Sequence, residues 1–137
     1  MAQNQDQLKG QREYIIQLLQ QLTAEYRMLE SEMKQIAKQY PGSDEKFAFL
    51  EEFELLIVSI SGYAKQIQAI GSVKHIDSAI AHLHQLQVFA NGTIAQFYAE
   101  ARWHYPKMQS YLQMLDYLRL LMLEYLQIQR TMQLISA

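Results

Sequence analysis

The chain has 137 residues, half of them hydrophobic, and a formal net charge of −2. That is long enough for one domain with a real core, too apolar for intrinsic disorder, and too nearly neutral for global attraction to nucleic acid or anionic membranes. With no cysteine in the chain, disulfides and thiolate metal sites are excluded.

Two prolines and five glycines are the only strong punctuation, so few, long elements are expected. The polar stretch MAQNQDQLKGQREY lacks the apolar run of a secretory signal. The longest apolar runs, Leu55 to Val58 and Leu120 to Leu123, are far too short to span a bilayer. A cytoplasmic location is expected. Charge is concentrated in residues 1–54. Beyond them Gln, Ser and Tyr stand where a small bundle normally carries Lys and Glu. Either another chain covers part of that surface, or the chain simply favours glutamine.

Residues 1–5 read as a frayed tail. From Ile15 the apolar residues Leu19, Leu22, Tyr26, Leu29, Met33, Ile36 and Tyr40 alternate in steps of four and three, which is a heptad seam. Arg12 falls on a seam position, so the first turns are expected to project beyond the packed region. Between the seam positions, mixed charges allow i,i+4 pairs such as Glu30–Lys34. One helix over 6–40 is predicted. Pro41-Gly42 ends it, and Ser43 or Asp44 caps the next.

Helix two is predicted over 44–70, with a stripe at Phe49, Phe53, Leu56, Ile60, Tyr63, Ile67 and Ile70, widened by Phe47, Leu50, Ile57 and Ala64. Gly71-Ser72 separates it from helix three, which starts near Val73, or at Asp77 if that residue is the cap. The third stripe, Ile76, Ile80, Leu83, Leu86, Ala90, Ile94, Phe97 and Ala101, keeps its phase across Asn91-Gly92. Thr93 and Gln96 could form a capping box for a restart there. The unbroken phase favours one helix over 73–104, kinked at most. Pro106 then opens helix four, 107–135. It has one seam at Met108, Tyr111, Leu115, Leu118, Met122, Tyr125 and Met132, and a second face at Met114, Leu121, Ile128 and Ile135. Two apolar faces suit two neighbours, or one neighbour and a second subunit. Short connections between long helices predict an all-α fold: a single-domain, antiparallel up-down-up-down four-helix bundle over 1–137.

No catalytic motif, metal signature or phosphate loop occurs. His75 and His82 can share one side of helix three, and Glu100 with His104 could share a metal. A di-metal bundle, however, draws Glu and Glu-x-x-His pairs from several helices, and no Glu-x-x-His is present. The histidines are expected on the surface or at caps, and no cofactor is expected. Phe47, Phe49, Glu51, Glu52, Phe53 and Glu54 read either as a docking face for a basic partner or as a helix start with core phenylalanines. Tyr98, Arg102, Trp103 and Tyr105 combine the residue types that anchor protein interfaces with a position beside a helix break, and they are the candidate partner-binding residues. Tyr111, Tyr117 and Tyr125 lie on helix four without the basic groove that base stacking requires.

The expected function is non-enzymatic: protein–protein interaction of the adaptor, chaperone or assembly-factor type through apolar helix faces. The partner would be another protein or a second copy, with a homodimer favoured, and neither nucleic acid nor membrane. The alternative is a metal- or cofactor-binding bundle using the helix-three histidines.

Overall fold

The computed structural model describes the backbone of residues 2–39, 43–90 and 92–136, and the side chains of 5–38, 48–90 and 92–135. Expectations placed on Tyr40, Pro41, Gly42, Asn91 and the side chains of Ser43, Asp44 and Phe47 lie outside these described residues. The fold is all-α, with no strand among the described residues. The helices are α1 (Ala2–Arg27), α2 (Glu30–Gln39), α3 (Ser43–Lys65), α4 (Val73–Gln85), α5 (Thr93–Ala101) and α6 (Pro106–Ser136), with a single 3₁₀ turn at Arg102–His104 before α6. Among the described residues six α-helices therefore stand where four were expected.

Helix α6 is the hub. All of Met108, Tyr111, Leu115, Leu118, Met122 and Tyr125 are buried, and so are Leu112, Leu123 and Leu126 beside them. Each such side chain withdrawn from water stabilises the fold by about 1.5–3 kcal/mol. Helix α6 packs on both α1 and α4 within the chain. The predicted second face is displaced, however: Met114, Leu121 and Ile128 are only partly buried, as is Met132 of the seam, and Ile135 is 70% exposed, because the neighbouring helices cover Leu112, Leu123 and Leu126 instead. Helix α1 runs antiparallel to α6, since Gln11 reaches Glu124 and Tyr26 lies beside Tyr111. Helix α4 is also antiparallel to it, with Asp77 on Arg130 and the Leu83 carbonyl on Arg119. Helix α3 packs against α5 through Phe49, whose ring stacks on Phe97 at 4.1 Å between centroids.

The first predicted helix differs in three ways. It begins at Ala2 rather than after a frayed tail. Its early turns stay against α6 rather than projecting: Leu8 is buried, and half-buried Arg12 donates to the Tyr125 hydroxyl at 3.4 Å. It also breaks at Met28-Leu29, where Met28 N–H bonds the Glu25 carbonyl at 3.0 Å and Leu29 N–H bonds that of Tyr26 at 3.1 Å. These i→i−3 bonds tighten the helix locally before the α pitch resumes. The buried stripe is Ile15, Leu18, Leu22, Leu29 and Ile36. The predicted seam members Leu19, Tyr26 and Met33 are only partly buried. Contact with α6 sets the centre of the stripe, and those three fall one step to the side, toward α3.

Helix α3 stops at Lys65, and irregular turns carry the buried Ile67 and Ile70 to the next helix. The Gln129 side chain bonds the Ile70 carbonyl at 2.9 Å. The start near Val73 holds, and its cap is Ser72, whose hydroxyl accepts from His75 N–H at 3.1 Å. Asp77 pairs with Arg130 instead.

The predicted third helix is divided. Helix α4 ends at Gln85, a non-helical segment follows, and α5 starts at Thr93. Gly92 takes φ +90°, which a continuing helix cannot accommodate. The continuous phase was misleading: in the connecting segment Val88 enters the core and Ala90 is exposed. Gln96 does not close a capping box by its side chain; its N–H bonds the Gly92 carbonyl at 3.2 Å. The cap comes from α3, where Glu52 accepts from both the backbone N–H and the hydroxyl of Thr93.

Glu32 of α2 plays the same part for α6. It accepts from Lys107 N–H at 3.0 Å and Met108 N–H at 2.8 Å. Pro106 has no N–H, and Gln109 N–H bonds the Tyr105 carbonyl. The first turn of α6 is thereby fully accounted for. Arg119 does the converse at the other pole, donating to the Leu83 carbonyl in the last turn of α4 while paired with Asp116.

Candidate functional site

The structure divides the four candidate residues. The Arg102 guanidinium lies 4.9 Å from the Tyr98 ring centre and 4.5 Å from that of Trp103, and its Nη1 bonds the Tyr98 carbonyl. Phe89 supports the Tyr98 ring, and Gln113 donates to its hydroxyl at 2.7 Å. Trp103 is 71% exposed. Tyr98, Arg102 and Trp103 thus form one cation–π ladder on the surface, with Trp103 outermost. Such exposed contacts are worth about 0.5–1 kcal/mol each, enough to hold an indole in one place. Tyr105 is not part of it, for it is buried and stacked on Phe97. Tyr105 follows the 3₁₀ turn and leaves helical geometry, with φ −134° and ψ 71°, so its side chain does not continue the face that carries Tyr98 and Arg102.

A second surface lies on α3. Leu55 and Val58 are 62% and 69% exposed. They share one helix face with Glu51, Gly62 and Lys65, at steps of four and three. Grooves flank this ridge on both sides. One, of about 430 Å³, includes Leu19, Tyr26, Ile57, Val58 and Tyr111; the other, of about 520 Å³, includes Leu55, Ser59, His84 and Leu86. The first groove continues past Tyr26 to Met33 and Leu50. The partly buried α1–α2 residues that miss the α6 seam therefore line an open channel.

Tyr26 lines both parts of the channel, with its hydroxyl on Glu54. The hydrogen bond to the Glu54 carboxylate, reinforced by burial, pushes the Tyr26 phenol up to about 12. Burial chiefly raises the Tyr111 phenol beside it as well. Both tyrosines stay neutral over the whole physiological range, so this polar patch offers hydrogen bonds rather than a proton-transfer base.

The acidic-aromatic stretch is dispersed to several tasks. Phe49 and Phe53 are core, Glu52 caps α5, Glu54 holds Tyr26, and Glu51 is exposed. The histidines lie at the surface. His82 Nδ1 is 2.6 Å from the Tyr63 hydroxyl, and His75 lies in the first turn of α4. Among the described residues no three His, Cys, Asp or Glu side chains converge to hold a metal ion. No described helix is long and apolar enough to cross a membrane.

Leu55 and Val58 were the part of the surface that the residue pattern did not single out. The usable signal was that both large apolar residues fall outside the helix-two stripe. Glu32 and Glu52 left no such trace, because each caps a helix distant in sequence. The chain matches no known family model, curated protein or solved structure.

Proposed function

We propose that this is a non-enzymatic interaction module, of the adaptor, chaperone or assembly-factor type, working in the cytoplasm on other polypeptides rather than on nucleic acid or membranes. In this reading α1–α2 and α4–α5 each act as one bent rod. The six helices then group into an up-down-up-down bundle, supported by the antiparallel pairs α1–α6, α4–α6 and α3–α5. The observation that carries the reading is the exposed pair Leu55 and Val58, large apolar side chains on a regular helix face with no covering element. Solvent-facing apolar residues in register on a helix are the anchors by which helix faces dock. The Tyr98–Arg102–Trp103 ladder supplies a second anchor of the type that dominates interfaces.

The test is site-specific photo-crosslinking in the native cell, with the reactive group placed at Val58, at Trp103 and, as a control, at the exposed Gln20. Discrete protein adducts at Val58 or Trp103 and none at Gln20 are expected. Equal or absent crosslinking at all three positions refutes the reading. The metal- or cofactor-binding alternative has no convergent ligand set to support it among the described residues.

A further inference from the structure

We infer that the α3 face is a self-association surface, and that a second copy of this chain lays its own α3 antiparallel along it. The inference deepens the proposed interaction role and rests on it. The pattern of the face selects the occupant. Glu51, Leu55, Val58, Gly62 and Lys65 run in order along some four turns, or about 21 Å, of one helix face. The apolar pair lies toward the middle, an acid stands at one end and a base at the other. A two-fold axis midway between Leu55 and Val58 places Leu55 of each copy against Val58 of the other. Glu51 then falls level with Gly62 of the second copy, with that copy's Lys65 one turn further on, within reach of an ion pair. A parallel arrangement would instead set Glu51 on Glu51 and Lys65 on Lys65, which is repulsive. The face is self-complementary in the antiparallel sense alone, as an interface between identical subunits must be.

Gly62 adds an independent observation. It lies inside α3, where glycine weakens a helix relative to alanine. Nothing within the chain requires it. Its φ is not positive, and an added Cβ would meet no atom within 4 Å. A close approach from outside the chain gives the missing side chain a purpose, since it leaves room for the Glu51 stem of the second copy. The flanking groove lined by Val58 and Lys65 lets the second helix settle beside the ridge rather than balance on it.

The experiment is sedimentation equilibrium of the purified full chain over a wide concentration range, with variants checked for native helicity. A reversible dimer with a dissociation constant in the micromolar range is expected for a helix-pair interface of this size. Leu55→Glu and Val58→Glu should each weaken it by at least about tenfold. Glu51→Lys alone, or Lys65→Glu alone, should weaken it by roughly three- to tenfold, whereas the Glu51→Lys/Lys65→Glu double variant should return to within about twofold of the parent. That rescue is specific to the antiparallel register. A parent chain that stays monomeric, a dimer indifferent to Leu55→Glu, or a double charge variant no better than the singles overturns the inference. A monomer that still crosslinks a different protein through Val58 removes self-pairing alone. Loss of every discrete adduct at Val58 and Trp103 removes the interaction reading with it.

Discussion

Removing the Glu32 carboxylate should unseat the helix on which the core is built. Glu32 is 9% exposed, and both its oxygens accept from the first turn of α6. Glu32→Ala deprives the Lys107 and Met108 N–H groups of their acceptors together. Hydrogen bonds to a charged group contribute about 1.5–3 kcal/mol each, and unsatisfied buried donors cost a similar amount. The lost carboxylate also forfeits about 0.3–1 kcal/mol of interaction with the positive end of α6. Water will reach Lys107, which is exposed, but not Met108, which is fully buried. The net loss should be about 2–4 kcal/mol, and Glu32→Gln, which keeps one good acceptor, should lose roughly half of that. Urea unfolding followed by circular dichroism measures it, with a lower midpoint and an unchanged slope expected. The control is Glu30→Ala, two residues away, whose exposed pair with Lys34 should contribute under about 0.5 kcal/mol. If Glu32→Ala costs no more than Glu30→Ala, the carboxylate is not what holds α6 and the capping argument fails.

Gly92→Ala should destabilise by about 1–3 kcal/mol in the same assay, because φ +90° is open to glycine alone and a Cβ would crowd the Glu52 carboxylate. With that Cβ 2.9 Å from Oε1 of Glu52 and 3.2 Å from Oε2, the oxygen that caps α5, a neutral result would show that the α4–α5 break does not depend on this residue. The Tyr26 phenol, raised from 10.0 to about 12 in the fold, contributes stability that is complete below pH 10 and is lost as the pH rises through 10 to 12. Tyr26→Phe should therefore flatten the alkaline limb of the stability–pH profile over that window while leaving the acid limb of the parent nearly unchanged, and a profile of unaltered shape would contradict the Glu54 contact.

The degree to which the sequence could be read varies along the chain. Helix α6 was legible in extent and in its main seam from Met108 to Tyr125, but not in its second face: its apolar side chains wrap most of the circumference, so the pattern alone did not say that Leu112, Leu123 and Leu126 would be covered and Ile135 left exposed. The α1–α2 seam was legible at every second member: Ile15, Leu22, Leu29 and Ile36 are buried as read, while Leu19, Tyr26 and Met33 between them are only partly buried. Leucine occupies both 18 and 19, and the pattern alone did not say which of the two faces the core. The break between α4 and α5 had a turn signal in the Asn91-Gly92 pair, set against a stripe that continues in phase by coincidence. Of the candidate site, Trp103 and Arg102 were visible as residue types. Their separation from Tyr105 was not, since spacing alone does not show that the chain leaves helical geometry at that residue.

What the sequence by itself determined is the helical class, the absence of thiol chemistry, the extent of the last helix and the main seam of its buried face. These follow from local periodicity and composition, which act within a few residues. What only the tertiary structure decided is how deeply Leu18, Leu19, Tyr26 and Met33 are buried, where the first and third helices break, and which large apolar residues remain outside. Those outcomes depend on groups far apart in the chain: Glu32 on α6, Glu52 on α5, Arg119 on α4. A helix end is satisfied by whatever acceptor or donor the fold brings to it, and no local pattern records that partner.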